Sequence, residues 1–349
     1  MLTTLALVMA AQRNSLPKPA ETDFTIENYT FASGEKLDKL NLHAYTYGTP
    51  QKDGSGKTTN AVLIMHGTGG SGKQFQVPVF AGQLFGPGQP LDVTKFFVIL
   101  PDALGHGMSS KPSDGLHAKF PHYGYDDIVK LDYRLITEHL GVNHLRLVMG
   151  TSMGGMQSWV WGETYPDFMD ALMPLASLPV EIAGRNRMTR RMIVDAIKTD
   201  PEWKDGEYTT QPHGLAHALD ILTLMGSSPL QMMRQAPTRV AADQVLEDGR
   251  AARLKTTDAN DLLYQVSASE DYDPSAKLDQ IKAPLVAINS ADDFINPPEL
   301  GIMEREIAKV KGGKFILLPI TDKTRGHGTH TIAAIWKQYL VDLLNATGG

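Results

Sequence analysis

The segment Val148-Met149-Gly150-Thr151-Ser152-Met153-Gly154-Gly155 leaves a folding chain few choices. A short apolar run, Leu145–Met149, leads into it, and a stretch with helical spacing leads out of it towards Tyr165. A chain that turns from strand into helix at one residue holds that residue in a strained conformation. Side chains two positions to either side would collide, and glycine at 150 and 154 removes both. The serine between them is lifted above the end of a sheet. It also sits at a helix N-terminus, where the helix dipole favours developing negative charge.

The rest of the chain supplies the sheet. Apolar runs bounded by Gly or Pro recur at Ala61–Met65, Phe96–Leu100, Pro284–Asn289 and Lys314–Pro319. Short runs without alternation predict strands buried on both faces, hence a parallel sheet. Phe24–Phe31 and Leu40–Tyr47 alternate partially and predict half-buried antiparallel strands. Helical stretches at Tyr125–Leu140 and Thr331–Ala346 complete an α/β fold with a mostly parallel, doubly wound sheet. From Pro179 to Ser275 the pattern turns helical, with candidate helices Arg187–Thr199, Leu215–Met225 and Arg239–Arg253. The expected division is a core of residues 21–178 and 276–349, and a helical lid of 179–275. Residues 1–20 are expected to be a signal-peptide remnant or a flexible N-terminus. Leu2 to Ala11 is mostly apolar and ends in small residues, as a secretory h-region and its cleavage site do, but it has no basic n-region. The reading leans towards export, with the cytoplasm as the other location.

Composition removes several function classes. Lys and Arg number 33 against 39 Asp and Glu, a net charge of −6 with no basic block, so nucleic acid is a poor partner. No apolar run approaches the ~20 residues that span a bilayer. Cysteine is absent, which excludes thiolate nucleophiles, disulfides and Cys-type metal sites.

A serine at such a turn needs a base and a group to orient it. Two loops downstream, each leaving the C-terminal end of a predicted strand, carry suitable residues: Asp292 and Asp293 in the first, His327 and His330 in the second. His327 lies between glycines at the strand end and is the preferred base; either aspartate can orient it. Other motifs carry less. Gly67-Thr68-Gly69-Gly70-Ser71-Gly72-Lys73-Gln74 nearly fits a phosphate-binding loop, but Gln74 lacks the hydroxyl that would hold Mg²⁺. The loop Gly54 to Thr59 precedes a strand and reads as a surface turn. His213 and His217 share one helical face without an evident third metal ligand. His106, in Gly105-His106-Gly107, reads as part of a tight turn. Met225, Met232 and Met233 suit either core packing or an apolar acyl pocket.

Taken together, these residues resemble the homoserine O-acetyltransferase branch of the α/β-hydrolase superfamily. The resemblance rests on Gly150-Thr-Ser-Met-Gly-Gly-Met-Gln157 with Trp161 and Tyr165-Pro166, and on Ala196-Ile-Lys-Thr-Asp200-Pro201-Glu-Trp203 with Gly206 and Tyr208. Asp258-Ala-Asn260, Asp271-Tyr-Asp273, the spacing Asp293 to Pro297, and Gly326-His327 extend it. It implies Ser152 as nucleophile, Asp293 as acid and His327 as base, with the backbone amides of Thr68 and Met153 as oxyanion hole. It implies no metal or organic cofactor. Two departures bear on substrate. The branch's acetyltransferases follow the catalytic His with an Asp that contacts the amino group of homoserine; here Gly328 and Thr329 follow. Their early loop typically reads His-Ala-Leu-Thr-Gly, against His66-Gly67-Thr68-Gly69-Gly70 here. The expected function is therefore a serine hydrolase cleaving a small-molecule ester or related acyl compound. The alternative is an acyl-CoA-dependent O-acyltransferase using acetyl-CoA as co-substrate. The lid is the expected surface for pairing two copies of the chain.

Overall fold

The computed structural model describes residues 16–348. The expectation of a leader at Leu2 to Ala11 lies outside the described residues.

Among the described residues eight strands form one sheet: β1 (Ala20–Thr30), β2 (Lys36–Tyr47), β3 (Ala61–Met65), β4 (Phe97–Asp102), β5 (Leu147–Thr151), β6 (Leu172–Leu175), β7 (Leu285–Ser290) and β8 (Gly313–Leu318). Their order is β1-β2-β4-β3-β5-β6-β7-β8. β2 runs antiparallel to both β1 and β4, and the remaining pairs are parallel. The unbroken apolar runs have a direct cause in packing. In β3, Ala61, Leu63 and Met65 face one core, while Val62 and Ile64 face the other. A strand covered on both sides favours apolar residues at successive positions.

Among the described residues ten α-helices accompany the sheet: α1 (Ala81–Leu84), α2 (Tyr125–Arg134), α3 (Met153–Thr164), α4 (Gly184–Lys198), α5 (His213–Gly226), α6 (Pro229–Gln235), α7 (Arg239–Leu254), α8 (Ala259–Ser267), α9 (Ile302–Glu306) and α10 (Ala333–Thr347). Ile128 and Leu131 of α2 and Trp159 of α3 cover one face of the sheet; Trp336 and Leu340 of α10 cover the other. The predicted helix Tyr125–Leu140 is α-helical only to Arg134, then widens into a π turn over Leu135–His139. There the Thr137 hydroxyl donates to the Tyr133 carbonyl at 2.8 Å, a back-bond that bends helices.

Between β6 and β7 the chain builds α4 to α8 around a separate core that includes Ile193, Ile197, Leu215, Leu219, Leu262 and Leu263. α8 ties this segment to the sheet. Asp258 caps it by accepting the amides of Asn260 and Asp261. The Asp261 carboxylate accepts the amide and hydroxyl of Ser113 at 2.8 and 2.7 Å, and Gln265 Nε2 donates to the Gly105 carbonyl at 2.8 Å.

Candidate active site

Ser152 stands between β5 and α3 with φ 57° and ψ −111°, a region that side chains other than glycine rarely enter. The flanking glycines hold it there. A Cβ on Gly150 would lie 2.2 Å from the Gly154 carbonyl oxygen, and one on Gly154 would lie 2.1 Å from the Met65 carbonyl oxygen. The elbow therefore packs directly on the end of β3. The Gly154 amide donates to the His66 carbonyl at 2.9 Å. A Cβ on Gly67 would come 3.3 Å from that of Ser152. The His66–Gly70 loop is thus set against the serine.

The two downstream loops reach the same point. His327 Nε2 lies 2.8 Å from Ser152 Oγ, and His327 Nδ1 lies 2.8 Å from Asp293 Oδ2. Asp293 Oδ1 accepts the amides of Ile295 and Asn296 at 2.8 and 3.2 Å, and Asn296 Nδ2 donates to Oδ2 at 3.0 Å. Only 2% of Asp293 is exposed. Burial alone would push its carboxyl up; the adjacent imidazole and these donors outweigh that and hold it below the usual carboxylate range. A hydroxyl, an imidazole and an ionised carboxylate thus form one hydrogen-bonded line. That arrangement can remove the proton from Ser152 as its oxygen attacks a carbonyl.

The neighbours that compete in sequence separate in space. Asp292 does not hold the imidazole. It accepts the Ser290 hydroxyl and, at 3.0 Å, the Gly326 amide, and so braces the loop that carries His327. His330 lies in the turn Gly328–Thr331 and donates from Nδ1 to the His327 carbonyl. Burial and the adjacent His327 push His330 down, so it is neutral. His106 donates to the Leu104 carbonyl at 2.9 Å and packs edge-on against His66, 4.9 Å between ring centres. His66 accepts the Ala103 amide.

The amides of Thr68 and Met153 have no protein acceptor among the described residues. Gln74 occupies the hollow of the glycine loop. Its Oε1 lies where a Gly70 side chain would begin, and its Nε2 donates to Thr151 Oγ1 at 3.0 Å. Sequence reasoning passed over Gln74 and Asn296 as site residues; their one signal is position, inside the glycine loop and three residues after Asp293. His213 is exposed, 3.6 Å from Glu202. Among the described residues no three His, Cys, Asp or Glu side chains stand together as a metal site.

The helical segment contacts both halves of the site. Gln265 Oε1 of α8 lies 3.8 Å from the position of a Gly69 Cβ, and the Ser227 carbonyl, between α5 and α6, lies 2.8 Å from that of Gly326.

The family model described as alpha/beta hydrolase fold matches residues 60–310. A protein described as a probable acyltransferase, from Methanothermobacter thermautotrophicus, is 32% identical over 278 residues, covering 79% of this chain and 84% of the relative. Homoserine O-acetyltransferase of Haemophilus influenzae is 30% identical over 295 residues, covering 76% and 80%. Among solved structures, homoserine O-acetyltransferase from Bacillus anthracis superposes with a TM-score of 0.82 at 20% identity, covering 95% of this chain and 98% of that one. Esterase E22 does so at 0.81 and 21%, covering 93% and 100%. At such identities the two structures speak for the fold alone.

Proposed function

The chain belongs to the α/β-hydrolase fold family, in its homoserine O-acetyltransferase-like branch, and on that premise we propose that it is a serine acyltransferase working through an acyl-enzyme on Ser152. The observation that carries the reading is the pair of 2.8 Å contacts that His327 makes with Ser152 and Asp293. His327 Nε2 takes the Ser152 proton as Oγ attacks the carbonyl of an acyl donor such as acetyl-CoA. The tetrahedral oxyanion is held by the amides of Thr68 and Met153. Asp293 fixes the imidazole tautomer and stabilises the imidazolium. Collapse breaks the bond to the leaving group, which takes the proton from His327. A hydroxyl acceptor then gives His327 its proton and attacks the acyl carbon; the bond from that carbon to Ser152 Oγ breaks, Oγ takes the proton back from His327, and the new ester leaves. Side chains and backbone amides perform each step, and acetyl-CoA enters only as co-substrate.

Transfer is placed ahead of hydrolysis, reversing the preference drawn from sequence. The support is the descriptions of the curated relatives, an acyltransferase and a homoserine O-acetyltransferase. Hydrolysis, with water as the acceptor, is the second reading. It is favoured by Gly328, which puts no carboxylate after His327 for an amino group to meet. Under either reading the segment 179–275 acts as the lid, resting on the Gly69 and Gly326 loops. A partition assay tests the choice. Purified protein receives acetyl-CoA with homoserine, serine or an uncharged alcohol, and O-acetyl product is compared with free acetate. O-acetyl product in excess supports transfer. Acetate alone at every acceptor tested, with p-nitrophenyl esters turned over, moves the reading to hydrolysis. Neither product from any donor overturns both.

A further inference from the structure

A cavity about 420 Å³ in volume lies between the start of α2, the far half of α3, and the strap 267–277 that leads from α8 back to the sheet. None of its lining residues belongs to the Ser152 site. Glu163 lines it eleven residues along α3 from Ser152. At 1.5 Å per residue that is about 16 Å away.

The cavity is acidic. Asp126, Glu163, Asp271 and Asp273 line it against a single lysine, Lys277. Two further carboxylates at its wall already have partners: Asp127 accepts the Tyr29 hydroxyl and the Ala32 amide, and Glu270 pairs with Arg187. Glu163 differs from all of these. It is 9% exposed, and its Oε2 is buried with no partner among the described residues. Its Oε1 lies 3.9 Å from Lys277 Nζ, beyond hydrogen-bond reach. A buried carboxylate oxygen left without a donor is costly unless the group is protonated or meets a bound partner. Burial, with Asp126 and Asp273 adding to it and Lys277 opposing, pushes the Glu163 carboxyl up to about 7. A cation brought to it would relieve both burdens.

The kind of cation follows from the walls. The carboxylates do not converge: among the described residues no three acidic or imidazole side chains group closely enough to hold a metal ion. Between them stand the rings of Tyr123, Tyr264 and Tyr272, with His122 stacked on Tyr264 at 5.6 Å. Separated negative charges around aromatic faces suit positive charges spaced along an apolar linker. The ammonium groups meet carboxylates and ring faces, and the methylenes lie on the rings. We propose that this cavity binds an aliphatic di- or polyamine in its ammonium form, with Glu163 as the anchoring carboxylate. The occupant bridges α2 and α3 to the strap behind α8, and so fastens the end of the helical segment to the core.

Calorimetry on the full chain at low salt and pH 8, with putrescine and spermidine as probes, tests this. Thermal unfolding is followed alongside. The expected result is saturable binding below about 1 mM and a raised Tm. Glu163→Gln should weaken affinity at least tenfold, and Ser152→Ala should leave it unchanged. Asp126 is exposed, so Asp126→Asn tests the same site without a buried change and should weaken binding severalfold. Three results would each overturn the proposal: no saturable heat up to 10 mM of either amine, unchanged affinity in both carboxylate variants, or an equal Tm rise from MgCl₂ at matched ionic strength.

Discussion

The Asp292 carboxylate accepts the Gly326 amide at 3.0 Å, so the loop that carries His327 is tied down one residue before its imidazole. Asp293, the next residue, reaches the imidazole itself at 2.8 Å. Two adjacent acids thus have distinct tasks, one on the backbone of the loop and one on the ring. Asp293→Asn should lower kcat by about 10⁴-fold, since the amide supports the wrong tautomer. Asp292→Asn leaves the ring partner in place and should lower kcat by about tenfold. Steady-state kinetics of the two variants checks the order; a larger loss in the Asp292 variant would reverse the assignment.

The elbow glycines are held by contact with backbone. Gly154→Ala places a methyl 2.1 Å from the Met65 carbonyl oxygen. That should cost about 3 kcal/mol or more in urea denaturation, or prevent folding. Gly249, within α7, has nothing within 4 Å of a new Cβ. Gly249→Ala should stabilise by about 0.5–1 kcal/mol. Equal effects from the two would contradict the packing described.

Asp132 on α2 is 1% exposed, with Oδ2 unpartnered among the described residues, and burial pushes its carboxyl up to about 8. The folded chain then holds this proton more tightly than the unfolded chain. Stability falls as pH rises from the ordinary aspartate value of 3.8 through about 8. Asp132→Asn stays neutral and should gain on the parent across that window. Denaturation midpoints at about pH 5 and about pH 8.5 test the sign; parallel profiles for the two proteins would exclude it.

The helical segment exposes large apolar side chains: Met188 at 67% and Met192 at 53% on α4, Leu224 at 64%, Met233 at 65% and Val240 at 71%. We propose that a second copy of the chain covers these side chains. Light scattering should give the mass of two chains for the parent and of one for the double variant M188E/M192E. A monomeric parent at micromolar concentration would remove the pairing.

The sequence foretold the parts of this molecule whose constraints are local. β3 matches its predicted bounds because five apolar residues between polar and glycine boundaries have one reading, a strand covered on both faces. Ser152 was legible because its backbone geometry dictates the glycines around it. Elements that depend on distant partners were not. β6 is four residues long and contains Pro174, so it reads as loop until β5 and β7 pair with it on either side. α8 is buried along Ala259 to Val266, and its polar residues Asp261 and Gln265 face Ser113 and Gly105, partners far away in the chain, rather than solvent. Asn296 and Gln74 matter through contacts that only the folded loops create. The split between Asp292 and Asp293 came from family resemblance, and the residues alone left it open.

Acid-quenched mass spectrometry after brief mixing with p-nitrophenyl acetate addresses the Ser152 acyl-enzyme most directly. The account predicts an acetyl group on the peptide that contains Ser152, formed with a burst of p-nitrophenol and absent from Ser152→Ala along with turnover. Turnover that survives in Ser152→Ala, or an acetyl group carried on another residue during that turnover, would contradict it.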